Sequence, residues 1–157
     1  MTITIALDTN LINNLDLSPV QTVIENLQQQ QALITSEQQL RFQIQYLQED
    51  GDPRELSEIP EVRLWFIRLD AVYPWLPFLL DWQAGDFVRY TAMLVPHSFN
   101  RQDGIQYNPE ALEIYLMHKL FVLHDWMKQH SIKSPSRLKS MAQLLGYELD
   151  DGLFELF

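Results

Sequence analysis

Asn108-Pro109-Glu110-Ala111-Leu112-Glu113-Ile114-Tyr115-Leu116-Met117-His118-Lys119-Leu120-Phe121-Val122-Leu123-His124-Asp125-Trp126-Met127-Lys128-Gln129 is the longest periodic stretch of the chain. It opens with a capping residue, a proline at the first helical position and an acid in the first turn, which together begin a helix. Leu112, Leu116, Leu120, Leu123 and Met127 recur at helical spacing and form one apolar side, flanked by Tyr115 and Trp126. Ile114, Met117 and Phe121 fall on the opposite side, among Glu110, Glu113, His118 and Asp125. A helix apolar on two sides is either sandwiched in a core or carries a stripe for a partner. The sandwich is the expectation.

Upstream, the period changes from helical to twofold. Ile3, Ile5 and Leu7 alternate with Thr4 and Ala6, predicting a first strand over 2–7. Leu40, Phe42, Ile44 and Tyr46 alternate with Arg41, Gln43 and Gln45, predicting a second. Between them Ser18 is expected to cap a helix that has Pro19 at its first position and repeats Val20, Val23, Ile24 and Leu27. The glutamines 28–31 end that helix as a solvated turn. Residues 61–71 are open: Val62, Trp65, Phe66 and Leu69 share a helical face, while the aromatic and branched content also suits a strand. Phe87 to Val95 reads as a buried strand or a short helix, Pro96 to Gly104 as polar loop, and Ile105 to Tyr107 as a returning strand. Downstream, Ser134 and Pro135 open a last helix that stops at Gly146, before an acidic, aromatic tail. No repeat or linker divides the 157 residues. The expectation is one compact α+β domain over 1–157, a small mixed or antiparallel sheet packed with several helices, the long one at 109–129.

Composition narrows the chemistry. With 46% hydrophobic residues, eight Phe, six Tyr and four Trp, the chain can build its own core. The absence of cysteine removes thiol nucleophiles, disulfides and thiolate-held zinc or iron–sulfur sites. A net charge of −10 argues against nucleic acid as a partner. The longest apolar run, near Trp75 to Leu80, contains a proline and is too short to span a bilayer. No charged-then-apolar leader is evident, so a cytoplasmic location is expected. Acids concentrate at Glu49, Asp50, Asp52, Glu55, Glu58 and Glu61 against the single base Arg54. Further acids lie at Glu148, Asp150, Asp151 and Glu155, with a basic run of Lys128, Lys133, Arg137 and Lys139 between. Such runs are commonly solvated faces; the functional alternative is steering toward a partner of opposite charge.

Catalytic signatures are weak. His118 and His124, six positions apart on one helix, point to different faces and do not share a metal. His97 beside Ser98 has no triad geometry of its own. No glycine loop cradles a phosphate, so neither metal nor cofactor is expected. Arg63, Arg68 and Arg89, with Asp70 and Asp81, lie in the most apolar third of the chain, where internal Arg–carboxylate pairing is the plain expectation. The sharper one is a groove lined by Trp65, Tyr73, Trp75 and Trp82 with arginines at its rim, residue types enriched at interface hot spots.

Several strings resemble the Chlororespiratory reduction 6 family: Pro53-Arg54-Glu55-Leu56-Ser57-Glu58-Ile59-Pro60, Arg63-Leu64-Trp65, Arg68-Leu69-Asp70 and Tyr73-Pro74-Trp75-Leu76-Pro77. Leu80-Asp81-Trp82, Arg89-Tyr90, Val95-Pro96-His97 and Asn108-Pro109-Glu110-Ala111-Leu112-Glu113-Ile114 extend the resemblance, which is strong over 50–127. It implies a non-catalytic factor for assembling the NAD(P)H dehydrogenase-like complex of cyanobacteria and chloroplasts. The implied partner is an unassembled ferredoxin-type peripheral-arm subunit, subunit I, met in the cytoplasm or, in plant relatives, the stroma. No catalytic residues come with the resemblance. Candidate partner-binding residues are Arg54, Glu55, Glu58, Trp65, Tyr73, Trp75, Trp82, Arg89 and His97. The competing expectations are a small enzyme or ligand-binding domain with an anionic pocket between Trp65, Trp82, Arg89, His97 and Glu113, and a self-associating structural component.

Overall fold

Two parallel strands and the helix that crosses between them begin the chain. In the computed structural model, which describes residues 1–156, strand β1 (Ile3–Asp8) pairs with β2 (Leu40–Gln45) in the register Ile3↔Leu40, Ile5↔Phe42 and Leu7↔Ile44. Parallel neighbours require a crossover, supplied by helices α1 (Thr9–Asn13) and α2 (Ser18–Gln29). Asp8 caps α1 by accepting from the Leu11 N–H at 2.8 Å. Ser18 does not cap α2 as expected. Leu17 is the cap residue, and the Ser18 N–H donates to Asp16 Oδ1 at 2.9 Å, which lowers the Asp16 pKa.

The open stretch 61–71 is helical: α3 spans Pro60–Val72 and buries Val62, Trp65, Phe66 and Leu69. Tertiary packing decided between the two periods. Trp65, Phe66, Tyr90 and Phe42 meet edge to face, with ring centroids 5.0 Å apart for Trp65–Phe66 and 5.3 Å for Phe42–Phe66. A strand would send Trp65 and Phe66 to opposite faces. Phe87 to Val95 is likewise a helix, α4 (Asp86–Leu94), entered through Gly85 at φ +82°.

The expected polar loop at 96–104 contains a strand. β3 (His97–Asn100) pairs antiparallel with β4 (Gly104–Tyr107), so the sheet is divided into two separate two-stranded ribbons, one parallel and one antiparallel. Helix α5 (Pro109–Gln129) follows, capped by Asn108 Oδ1 at 3.0 Å from the Ala111 N–H, then α6 (Pro135–Leu144) and the short α7 (Asp151–Phe154). Leu112, Leu116, Leu120, Leu123, Trp126 and Met127 of α5 are buried. The sandwich expected for α5 does not form: Ile114 is 65% and Phe121 48% exposed. Of its second apolar stripe, Ile114 and Phe121 face solvent while Met117 packs partly buried against the core.

Candidate partner-binding surface

The acidic segment 49–61 is an ordered arm between β2 and α3. Gly51, at φ +83°, turns it, and the Asp52 N–H closes the turn on Glu49 O at 3.0 Å. Arg54 folds back on Asp52, Nη2 to Oδ2 at 2.7 Å and Nε to Oδ1 at 3.0 Å. This guanidinium holds the Asp52 carboxyl down at about 2. Glu58 Oε2 accepts from the Glu55 N–H at 2.7 Å and closes a single 3₁₀ turn over Leu56–Glu58. Glu55 and Glu61 stay exposed. The arm borders a polar hollow of about 610 Å³ lined by Tyr46, Glu49, Asp50, Asp52, Arg54 and Glu61.

Glu61 is also the second residue of α3. On that helix Glu61, Leu64, the pair Ile67 and Arg68, and Ala71 recur at three- and four-residue intervals on one face and are all exposed. Leu64 is 51% and Ile67 46% open to solvent. The acidic arm therefore runs directly onto an apolar stripe.

His97 joins this region from β3. Its Nδ1 lies 2.9 Å from Val95 O, and because a carbonyl only accepts, the neutral ring carries its proton there. Nε2 is then left to accept from Ser57 Oγ, also at 2.9 Å. A serine bonded to an oriented imidazole invites comparison with a nucleophile and its base. Ser57, however, is buried, and the roughly 390 Å³ hollow beside His97 is lined by Pro96, Ser98, Gln106, Tyr107 and Asn108. The pair tethers the 3₁₀ turn to β3.

The four-aromatic groove does not open to solvent. Trp65 is fully buried with its Nε1 donating to Asp16 O at 2.9 Å, and Trp82 is buried with Nε1 donating to Pro77 O at 2.8 Å. Indole rings gain more from the core than from the surface, and each polar edge has found a carbonyl. Tyr73 and Trp75 are half-buried, and Trp75 stacks on Trp126 with centroids 5.3 Å apart. The residues of the alternative anionic pocket are not gathered. His97 lines the hollow above, Arg89 borders a cavity of about 20 Å³ with Asp86, Trp82 lines another shallow hollow, Trp65 is in the core and Glu113 is exposed.

Nor do the arginines pair as expected. Arg89 meets Asp86 at 3.4 Å rather than Asp70 or Asp81, and Arg41 reaches the same carboxylate at 3.2 Å. Burial nonetheless raises the Asp86 pKa. Arg63 donates to Met93 O at 3.2 Å. Asp70 instead binds Lys119, whose ammonium is fully buried and also donates to Pro74 O at 3.0 Å. The Tyr90 hydroxyl donates to Asp70 Oδ1 at 2.7 Å. This Asp70–Lys119–Tyr90 cluster is not marked by any sequence motif. The available signal was Lys119 itself, a charge on the same side of the helix as Leu112, Leu116 and Leu123. Among the described residues, no group of three or more metal-ligating side chains could hold a metal ion, and no helix is long and apolar enough to cross a membrane.

No solved structure matches the chain. A family model described as Chlororespiratory reduction 6 matches residues 7–156, which takes in the acidic arm, the α3 stripe and strands β2, β3 and β4. A match over nearly the whole length shows that the chain belongs to the Chlororespiratory reduction 6 family, an assembly-factor family rather than a known enzyme family, with a role in assembling the NAD(P)H dehydrogenase-like complex.

Proposed function

We propose that the protein is a non-catalytic assembly factor that transiently covers an unassembled ferredoxin-type peripheral-arm subunit, subunit I, of the NAD(P)H dehydrogenase-like complex. The family supplies the complex and the resemblance supplies the subunit. What supports the mode of action is the continuity of the acidic arm with the exposed Leu64 and Ile67 stripe. Such a face suits a basic patch bordered by apolar side chains: the acids speed and orient encounter, and the apolar stripe is desolvated on contact. Arg54, Glu55 and Glu58 form the rim, with His97 holding the turn that carries them. Tyr73 and Trp75 close the far end of α3. Trp65, Trp82 and Arg89 act indirectly, through the shape of the core and of α4. Lacking cysteine, the chain shields or orients an iron–sulfur subunit without passing it a cluster through thiolates.

A tagged copy purified from cells that make the complex is expected to bring down the immature subunit. Recovery of background proteins alone contradicts the proposal. With purified components, Glu55→Lys combined with Glu61→Lys is expected to slow association about tenfold at low salt and flatten its salt dependence. Both side chains are exposed; reversing Glu55 removes one half of the capping box on the 3₁₀ turn, and Glu58 is left in place to keep the other.

A further inference from the structure

Where α5 ends, the chain reverses through a Schellman motif. The Ile132 N–H donates to Met127 O at 2.8 Å and the Ser131 N–H to Lys128 O at 3.2 Å, with Ser131 at φ +58°. This turn folds Ile132 back beside Met127, and Ser134-Pro135 then starts α6. The corner encloses a hollow of about 390 Å³ whose floor and walls are Met127, Ile132, Pro135, Leu138 and Phe154. Its charged lining is entirely basic: Lys128 and Lys133, both exposed and neither in an ion pair among the described residues. On a chain of net charge −10 this is a reversal of sign. The other members of the basic run are engaged, Arg137 with Glu37 and Lys139 with Asp151.

We propose that this hollow receives a bulky apolar side chain carried between carboxylates in a segment of the partner protein. The inference rests on the reading of the chain as a protein-binding factor and gives that partner a second contact, opposite in charge to the first. Two observations select the occupant. An apolar floor under two uncommitted ammonium groups matches an apolar group with adjacent negative charge, and repels a basic segment. The protein's own sequence already places such a segment here: in Asp150-Asp151-Gly152-Leu153-Phe154, Asp151 pairs with Lys139 while Phe154 forms one wall of the hollow. The partner segment continues that pattern on the remaining open side, beneath Lys128 and Lys133.

The test uses the full chain, isotopically labelled, titrated with a blocked pentapeptide of one phenylalanine flanked on each side by two glutamates. Amide shifts are expected to cluster at Met127, Lys128, Ser131, Ile132 and Leu138. Lys128→Glu combined with Lys133→Glu, which touches no core side chain, is expected to weaken binding at least tenfold. The same peptide with lysines for glutamates should not bind. Shifts elsewhere, no shifts, or equal binding of the lysine peptide overturns the inference. So does binding of dodecanoate but not of the glutamate peptide, which would make the ligand a small amphiphile. In the tagged-copy purification, the double variant is expected to recover several-fold less subunit. Undiminished recovery overturns this inference and leaves the proposed function standing. Failure of the unaltered protein to recover the subunit overturns the proposed function, and the peptide titration still decides the hollow.

Discussion

Lys119 keeps a full ammonium inside the protein because three groups surround it: the Asp70 carboxylate, the Pro74 carbonyl and, through Asp70, the Tyr90 hydroxyl. Removing one member of a buried ion pair costs more than the pair contributes, since the survivor is left uncompensated. Asp70→Ala, which strands the fully buried ammonium, is therefore expected to destabilise by about 3–5 kcal/mol, and Lys119→Met by less, because the surviving Asp70 carboxylate is partly exposed and keeps the Tyr90 hydroxyl. Urea denaturation of the two variants checks the order; a larger loss for Lys119→Met contradicts it. The position of Lys119 on the apolar side of its helix was legible in the sequence. Its partner was not, because Asp70 stands 49 positions away and only the packing of α3 near α5 unites them. The same holds for Ser57 and His97, forty positions apart, against the legible but uninformative neighbours His97 and Ser98.

Four tyrosines respond to alkali at this scale, and burial raises the half-buried Tyr73 hydroxyl among them. Burial raises the Tyr107 hydroxyl to about 12 and pushes Tyr90 and Tyr115 well up. The folded state thus keeps protons that the unfolded chain releases near pH ~10. Their stabilising effect is complete below that pH and drains away as pH rises through the folded values. Lys119 acts in the opposite sense: burial lowers its pKa, so its contribution improves as pH climbs toward its ordinary value of 10.5. Arg137, lowered by burial to about 10, acts in the same sense as Lys119. With four tyrosines against these two bases, stability is expected to fall above pH ~10, with phenolate absorbance rising together with loss of helical dichroism. Phenolate absorbance rising to completion while the helix signal stays intact contradicts this.

At the scale of elements, helix ends repeat one solution. α1, α2, α5 and α6 all close with paired bonds of the Schellman type, and the left-handed residue is Leu15, Gln31, Ser131 and Gly146 in turn. A side chain in that conformation costs about 1–2 kcal/mol that glycine avoids, partly offset by the greater freedom glycine gives the unfolded chain. Gln31→Gly, at an exposed site, is expected to raise Tm by about 2–4 °C, or about 1 kcal/mol, and a fall in Tm contradicts it. The glutamine run was legible as a helix end, and the motif explains why it ends there. Long periodic elements, β1, β2, α2 and α5, were legible because each repeats its pattern over several turns or pleats. β3 was not: His97-Ser98-Phe99-Asn100 is short and mostly polar, and only its pairing with Gly104–Tyr107 makes it a strand. α3 was ambiguous because tryptophan, phenylalanine and branched residues suit either period, and the edge-to-face cluster with Phe42 and Tyr90 selects the helix. The aromatic groove failed for a related reason: residue type marks Trp65 and Trp82 equally as core and as hot spot, and depth alone separates the two.

Across the whole molecule, charge and apolar surface are arranged for contact. An acidic arm continues onto the Leu64 and Ile67 stripe, Ile114 and Phe121 stand exposed on α5, and a basic-rimmed apolar hollow marks the α5–α6 corner. The uneven charge was visible in the sequence, but its continuity with α3 needed the helix to be established. Such surfaces transmit function through what they cover. The most direct measurement is sedimentation velocity of the purified protein mixed with purified, unassembled subunit I at physiological salt. A new boundary at the mass of a one-to-one complex, absent from either component alone and weakened by Glu55→Lys with Glu61→Lys, is the predicted result. Two unchanged boundaries at concentrations up to the solubility limit would contradict the account.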